Sequence, residues 1–197
     1  GIKELFLKIS AGFSVQPRNL YRFDISNNSL LKSPECYSKI IVNATLDIDG
    51  DGEREIVCSN AAVHNYSGTE SVPFADSLSW TFVFDENLQF EFTPQSFPGA
   101  VSRVDLYPVK KENGYELLCL YSKRAQGKVP DFLMLMDVKG NQKKREELPE
   151  TVNNTNHSIV PVANNFSKFI LRLSDGTNYL LDHRMELKKV KIDNFFH

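Results

Sequence analysis

The chain has 197 residues, of which 41% are hydrophobic and 24% charged, with a formal net charge of −2 at pH 7. A chain of this length can bury a core without disulfide bonds, so we expect one domain or one block of repeats across residues 1–197. The balanced, interleaved charges give no reason to expect nucleic acid as a partner. No apolar run approaches the roughly 18 residues of a membrane helix, so we expect no membrane contact by this segment.

The chain begins at Gly1 rather than Met and shows no signal peptide, so we expect it to be a piece of a longer protein. Its three cysteines, an odd number, argue against a disulfide framework. Cys58 and Cys119 lie in apolar runs and are expected in the core, where a free cysteine behaves as a small hydrophobe. Cys36 lies near Pro34 in a predicted loop and is a candidate for an exposed thiol.

The first apolar run, residues 4–13, predicts one strand, and a hairpin follows from Leu20. This hairpin is the first of four segments in which an apolar strand ends in an aspartate before a polar turn; the aspartates are Asp24, Asp85, Asp137 and Asp182. They are separated by 61, 52 and 45 residues, and a four-stranded propeller blade takes about 40 to 50 residues. Each aspartate is expected to accept hydrogen bonds from the amides of its turn.

Residues 46–57 combine closely spaced carboxylates with tight-turn glycines, and this segment lies between two apolar runs. The segment offers five oxygen donors at alternate positions of a calcium loop, which are Asp47, Asp49, Asp51, the carbonyl of Glu53, and Glu55. Hard cations such as Ca²⁺ take about six to eight oxygen ligands, and this pattern supplies most of them from one short segment. Gly52 occupies the position where such a loop must turn sharply. The alternative is a polar hairpin turn without a metal.

The flanks of this loop decide between two kinds of calcium site. An EF-hand needs a helix on each side and a bidentate glutamate at the twelfth loop position, where this chain has Cys58. The flanking residues 40–46 and 55–58 are short and rich in β-branched side chains, which predicts strands. The sequence therefore predicts a calcium loop inside a β-hairpin.

Two later segments, residues 101–121 and 159–173, repeat this inner hairpin. Their turns lack alternating aspartates, so we predict one metal site rather than three. The repeats predict an all-β fold, a β-propeller-like array of about three to four four-stranded antiparallel blades, as a small ring or an arc of a larger propeller. An arc would leave open sheet edges that favour a homo-oligomer. The approximate blades are residues 1–38, which form a partial blade, 39–97, 98–150 and 151–197.

A long segment, residues 60–76, interrupts the repeat, and long loops without secondary structure are often functional. Side chains in it and just after it could line a binding surface for a small molecule, a glycan or a protein; they are His64, Tyr66, Phe74, Asp76 and Trp80. The alternative is a compact loop packed on its own side chains.

Catalytic motifs are absent from the sequence. The four histidines are too scattered for a helical zinc motif, and there is no Cys-x-x-Cys pair, no Gly-x-Ser-x-Gly elbow and no phosphate loop. The 25 acidic residues offer many carboxylate pairs, but nothing marks one out as a glycosidase dyad. We therefore expect this segment to be non-catalytic.

The pattern Asp-x-Asp-x-Asp-Gly-x-x-Glu from Asp47 to Glu55, followed by an apolar pair, resembles the calcium loop of FG-GAP and VCBS β-propeller repeats. Residues 12–24 and 79–88 also look like parts of such propellers, which occur outside the membrane in bacterial sensor histidine kinases and related surface proteins. The resemblance implies a periplasmic or cell-surface sensor or ligand-binding module with one structural Ca²⁺, any kinase lying elsewhere in the protein. The alternatives are a propeller-based carbohydrate-active enzyme or its accessory domain, and an integrin-like adhesion module.

Overall fold

The computed structural model describes residues 4–10, 18–64, 73–97, 101–123, 130–148, 157–162, 166–173 and 175–191. All regular secondary structure within these ranges is β-strand, which confirms the predicted all-β class. The described residues contain no helix that is long and apolar enough to cross a membrane.

Sixteen strands occur in the described residues. The first eight are β1 (Glu4–Ser10), β2 (Arg18–Asp24), β3 (Ser29–Lys32), β4 (Lys39–Leu46), β5 (Glu55–Ala61), β6 (Ser79–Trp80), β7 (Phe82–Phe84) and β8 (Ser96–Phe97). The other eight are β9 (Ser102–Lys111), β10 (Gly114–Lys123), β11 (Phe132–Met136), β12 (Gln142–Glu147), β13 (His157–Pro161), β14 (Lys168–Leu173), β15 (Asn178–Asp182) and β16 (Leu187–Val190).

These strands form antiparallel sheets whose members are mostly neighbours along the chain. The first sheet is the meander β1-β2-β3, and the last is the four-stranded meander β13-β14-β15-β16. Between them lies a seven-stranded sheet with the order β12-β11-β10-β9-β5-β4, in which β7 also pairs with β5. Strands β6 and β8 form a small ladder. The three predicted inner hairpins are confirmed as β4-β5, β9-β10 and β13-β14.

The seven-stranded sheet crosses the predicted blade boundary at residue 98. Residues 56–58 of β5 pair with β7, whereas residues 60–61 pair with residues 103–104 of β9. One edge of β5 is therefore divided between two partners, which links the second and third predicted units by backbone hydrogen bonds. The second unit also has a single bridge between Phe84 and Phe90 where a fourth strand was expected.

Strand β10 lines two apolar cores, one on each of its faces. Leu117, Cys119 and Tyr121 belong to one apolar core, and Leu118 and Leu120 belong to another. Because successive side chains of a strand lie on opposite faces, one strand can line two cores. Both faces of this sheet are covered, which accounts for the unbroken apolar run in β10.

Within the described residues, three apolar cores lie between the four predicted units in chain order. The first joins Leu20 of β2 to Phe82 of β7. The second joins Val57 of β5 to strands β9, β10 and β11. The third joins Leu118 of β10 to Phe169 of the last sheet. Full burial of such a side chain contributes roughly 1.5 to 3 kcal/mol, so these cores hold the sheets as one stack.

All three cysteines are free and buried. Cys58 and Cys119 lie in the cores, as predicted. The prediction of an exposed Cys36 is wrong, because this residue lies in the first core and burial raises the pKa of its thiol to about 12. The loop turns inward because the side-chain amide of Asn19 donates hydrogen bonds to the carbonyls of Ser33 and Pro34, at 3.2 and 2.9 Å.

The repeated aspartates order their turns as predicted. In three turns the aspartate Oδ1 accepts hydrogen bonds of 2.7 to 3.1 Å from the amides two and four residues later; these turns begin at Asp85, Asp137 and Asp182. Asp24 accepts a hydrogen bond from the amide of Ser26 at 2.8 Å. The same local structure therefore recurs in three successive units of the chain.

The first strand is the most apolar exposed element among the described residues. Four of its side chains are 42% to 47% exposed, namely Leu5, Phe6, Leu7 and Ile9. Strand β1 is hydrogen-bonded along one edge, to β2. An apolar edge strand of this kind is compatible with the predicted homo-oligomer, which stays a prediction.

Candidate metal centre

The acidic loop, residues 47–54, connects β4 to β5, and the residues on its two sides, Leu46 and Glu55, are paired across the hairpin. The predicted arrangement of strand, loop and strand is confirmed. The hairpin pairing brings the first candidate ligand, Asp47, close to the last, Glu55. This proximity is the geometric requirement for a cation site built from one short segment.

Backbone amides hold the carboxylates of the loop in place. Asp47 accepts a hydrogen bond from the amide of Gly50 through Oδ1, at 2.6 Å, and one from the amide of Gly52 through Oδ2, at 3.1 Å. Asp49 accepts one from the amide of Asp51 at 3.1 Å. Gly50 and Gly52 have φ angles of 88° and 96°, a region that side chains disfavour. The glycines therefore allow the sharp turn that the sequence predicts.

Three carboxylates converge at this loop. One carboxylate oxygen from each of Asp47, Asp49 and Glu55 lies within 4.8 Å of the other two, and we call these residues the carboxylate trio. Oxygen ligands lie about 2.3 to 2.6 Å from Ca²⁺, so two ligands of one ion are at most about 5 Å apart. The spacing and the hard oxygen donors of the trio therefore fit Ca²⁺.

The two other predicted ligands are less clearly placed. Asp51 lies outside the carboxylate trio, and its Oδ1 accepts a hydrogen bond from the amide of Glu53 at 2.8 Å. Coordination by Asp51 and by the carbonyl of Glu53 therefore stays a prediction. Both residues are exposed and belong to the same loop as the trio.

Glu55 is the buried member of the trio, with 2% of its surface exposed. Burial raises the pKa of its carboxyl group to about 7, the amide of Ile48 opposes this by donating to Oε2 at 2.7 Å, and the negative charges of Asp49 and Asp51 raise it further. A cation at the trio would offset this repulsion and favour the ionised carboxylate. The electrostatics of the loop therefore favour cation binding.

A further acidic residue, Glu91, lies beside the loop and was missed by the sequence analysis. Its amide donates to the carbonyl of Val83 at 3.0 Å, which places it next to β7. Its pKa is raised by burial and by the charges of Asp49, Asp85 and Asp51. Sequence spacing relates Glu91 only to its own hairpin, and the pairing of β7 with β5 is what brings it near the loop.

The aromatic residues predicted to bind a ligand pack into the protein. Phe74 and Trp80 meet edge to face with ring centroids 5.2 Å apart, and Trp80 Nε1 donates to the carbonyl of Ala75 at 3.0 Å. Phe74 also meets the rings of Phe82 and Phe90, at 5.5 and 5.0 Å. These contacts give Phe74 and Trp80 a structural role against the first core.

The polar residues predicted to bind a ligand are His64, Tyr66 and Asp76, and the structure describes two of them. Asp76 is 0% exposed and forms an ion pair with Arg18 at 3.4 Å, and its carbonyl accepts a hydrogen bond from the amide of His64 at 2.9 Å. Tyr66 lies outside the described residues. The described part of the segment packs against neighbouring elements rather than only on itself. Ligand binding by these residues stays a prediction.

Fold and site together define an all-β protein with a carboxylate-rich hairpin loop. A scan of protein-family models gives no match to this chain, and a search of curated proteins gives none either. The likeness to FG-GAP and VCBS repeats therefore rests on the residues of the acidic loop and on the repeated strand pattern.

Proposed function

We propose that this chain is a non-catalytic sensor or ligand-binding module of an extracytoplasmic protein, built from β-propeller-type blades and stabilised by one Ca²⁺. The observation that carries the proposal is the convergence of Asp47, Asp49 and Glu55 in a loop between paired strands. A cation bound by the trio would join the two ends of the acidic loop and stabilise the hairpin beneath it.

The stacked sheets support the blade architecture. Within the described residues, three apolar cores lie between the four predicted units in chain order, and the same aspartate turn recurs in three of the units. Face-to-face meanders with matching turns are the arrangement expected of consecutive propeller blades. The hydrogen bonds between β5 and β9 are a local departure from this arrangement.

The expected affinity for calcium bears on the cellular compartment in which the protein works. Calcium sites of extracellular modules bind with Kd on the order of 10⁻⁴ to 10⁻³ M, far above the calcium level at which cytosolic sites operate. A loop of this type would be filled only where calcium is abundant. The proposal therefore favours a periplasmic or cell-surface address over a cytosolic one.

The test is the thermal midpoint of unfolding with calcium and with a chelator, for the wild type and for Asp49→Ala. Calcium at about 100 times its Kd should add roughly 2.7 kcal/mol, which raises the midpoint by several degrees. The matched control is Asp175→Ala, which removes an aspartate that also accepts an amide hydrogen bond, from Thr177 at 2.8 Å, in the last sheet.

The expected result is a calcium-dependent rise in the wild type and the control that is lost in Asp49→Ala. A wild-type midpoint that is equal in calcium and chelator would overturn the calcium part of the proposal and reduce the loop to an acidic turn. Turnover of any member of a glycan panel would overturn the non-catalytic part.

A further inference from the structure

A polar cavity of about 550 Å³ lies where turns of two sheets meet. It is lined by the turn between β9 and β10, the start of β12 and the turn between β15 and β16. We call it the lysine pocket, and the side chains that matter for its chemistry are Lys110, Lys111, Tyr115, Glu116, Lys143 and His183. It shares no residue with the acidic loop.

Ion pairs organise the lysine pocket before any ligand arrives. Glu116, with a side chain 15% exposed, contacts Lys111 Nζ at 2.9 Å and Lys143 Nζ at 2.7 Å through different carboxylate oxygens. Lys111 Nζ also donates to the carbonyl of His183 at 2.8 Å, which connects the third and fourth predicted units. An ammonium group carries three donors, so Lys143, whose side chain is 49% exposed, retains donors for a ligand.

The charge of the lysine pocket opposes that of the whole chain. Three lysines and two glutamates line it, which leaves a positive balance in a chain of net charge −2. A positive recess favours an anion, and its volume falls within the range of about 300 to 1,000 Å³ typical of small-molecule sites, much larger than one phosphate needs. The aromatic ring of Tyr115 and the amide of Asn113 add a flat face and a hydrogen-bonding group.

We propose that the lysine pocket binds a sugar acid, a small polyhydroxylated carboxylate. The carboxylate contacts Lys110 and Lys143, the hydroxyl groups bond to Asn113 and Glu116, and the sugar ring lies against Tyr115. Charge-assisted hydrogen bonds to the lysines supply the affinity, since they are stronger than neutral ones. This proposal rests on the ligand-binding function proposed for the chain and deepens it by naming a ligand class.

The test is calorimetric titration of the whole chain with glucuronate, with glucose and inorganic phosphate as comparison probes. The titration is done in chelator, because glucuronate itself can bind calcium. The wild type should bind glucuronate and Lys143→Gln should bind it at least tenfold more weakly, as expected for the loss of a charge-assisted hydrogen bond. Lys32→Gln, which changes an exposed lysine on β3, should leave the affinity unchanged.

Equal affinity for glucose, equal affinity for phosphate, or no detectable binding of glucuronate would each overturn the sugar-acid proposal. An unchanged affinity in Lys143→Gln would place glucuronate elsewhere and overturn it as well. Thermal midpoints in chelator show whether Lys143→Gln is folded, and Lys110→Gln provides a second variant if it is not. A calcium-dependent midpoint together with a failed titration would leave the calcium-stabilised module standing, so the two failures are distinguishable.

Discussion

The ring of Phe92 fills the space that a side chain at Gly140 would need, since a Cβ built on Gly140 would lie 2.8 Å from Phe92 Cγ. Gly140 comes three residues after the aspartate that begins its turn. In the turns that begin at Asp85 and Asp182, the residues at this position are Leu88 and Met185, which have buried side chains and, like Gly140, positive φ angles. Phe92 belongs to the second unit, residues 39–97, whereas Gly140 belongs to the third, and the Phe92 ring packs on the second core. The Phe92 ring therefore fills the apolar space that Leu88 and Met185 fill in the other two turns.

We expect Gly140→Ala to lower the free energy of unfolding by about 2 to 4 kcal/mol, because it combines backbone strain with a clash against Phe92. Gly176→Ala is the matched control, since Gly176 has a φ angle of 85° in a similar turn but open space around it. The control should show only the strain, about 1 to 2 kcal/mol. Urea unfolding of both variants measures the difference, and equal losses would contradict the role of Phe92.

The aspartate turns show how far the sequence determines this fold. An apolar strand that ends in Asp137 and continues into Lys139 and Gly140 is a local signal, because strand propensity, turn chemistry and hydrogen bonds all lie within a few residues. The strands and hairpins could therefore be predicted. The pairing of β5 with both β7 and β9 could not, because it depends on contacts between residues 24 to 44 positions apart along the chain.

In the candidate metal centre, too, the residues that are close in sequence could be predicted and those from distant segments could not. Asp47, Asp49 and Glu55 are close in sequence and are joined by a hairpin, so their convergence could be predicted from spacing. Glu91 reaches the same region through strand pairing, and no local signal indicates it. The buried pairing of Asp76 with Arg18 also escaped prediction, since an aspartate in a long polar segment usually lies in solvent.

Asp137 should contribute to stability through the hydrogen bonds of its turn. Asp137→Ala removes acceptors for the amides of Lys139 and Asn141, at 3.0 and 2.8 Å, and should cost roughly 1 kcal/mol, as the loss of a capping side chain does. The side-chain hydrogen bond from Asn141 lowers the pKa of Asp137, so its contribution is present above about pH 4 and is lost as the pH falls through the folded-state pKa.

Urea unfolding of the wild type and Asp137→Ala across this pH range measures the effect. The two stabilities should differ at neutral pH and approach each other in acid. Asp137→Asn is the matched control, because it keeps an acceptor oxygen and loses the charge. A gap that is constant from neutral to acidic pH would contradict the contribution of the ionised carboxylate.

Glu55 should make the stability of the calcium-free protein fall with rising pH. Burial raises its pKa to about 7, whereas an unfolded glutamate has a pKa of about 4.3. Between these values the folded state holds a proton that the unfolded state has lost, so the free energy of unfolding decreases as the pH rises. Glu55→Gln cannot titrate and should lack this decrease.

Thermal midpoints of unfolding, measured in chelator from about pH 4.5 to 7.5, test whether stability falls as the pH rises. Saturating calcium should reverse part of the loss in the wild type above pH 7, because the ion favours the ionised carboxylate, and it should do less for Glu55→Gln. Parallel pH profiles of the wild type and Glu55→Gln in chelator would show that Glu55 titrates at its ordinary pKa.

The ion pair between Arg18 and Asp76 should be a main determinant of how the segment around residue 76 packs. The two side chains are 4% and 0% exposed, and Arg18 Nη1 also donates to the carbonyl of Tyr37 at 2.6 Å. Asp76→Ala leaves a buried guanidinium without its carboxylate and should cost about 3 to 5 kcal/mol. Replacing both partners, as in Arg18→Met with Asp76→Leu, should cost less than Asp76→Ala alone, because no charge is left buried.

Urea unfolding of the single and double variants measures this coupling. A near-native stability for Asp76→Ala would instead favour the ligand-binding role that the sequence predicts for Asp76.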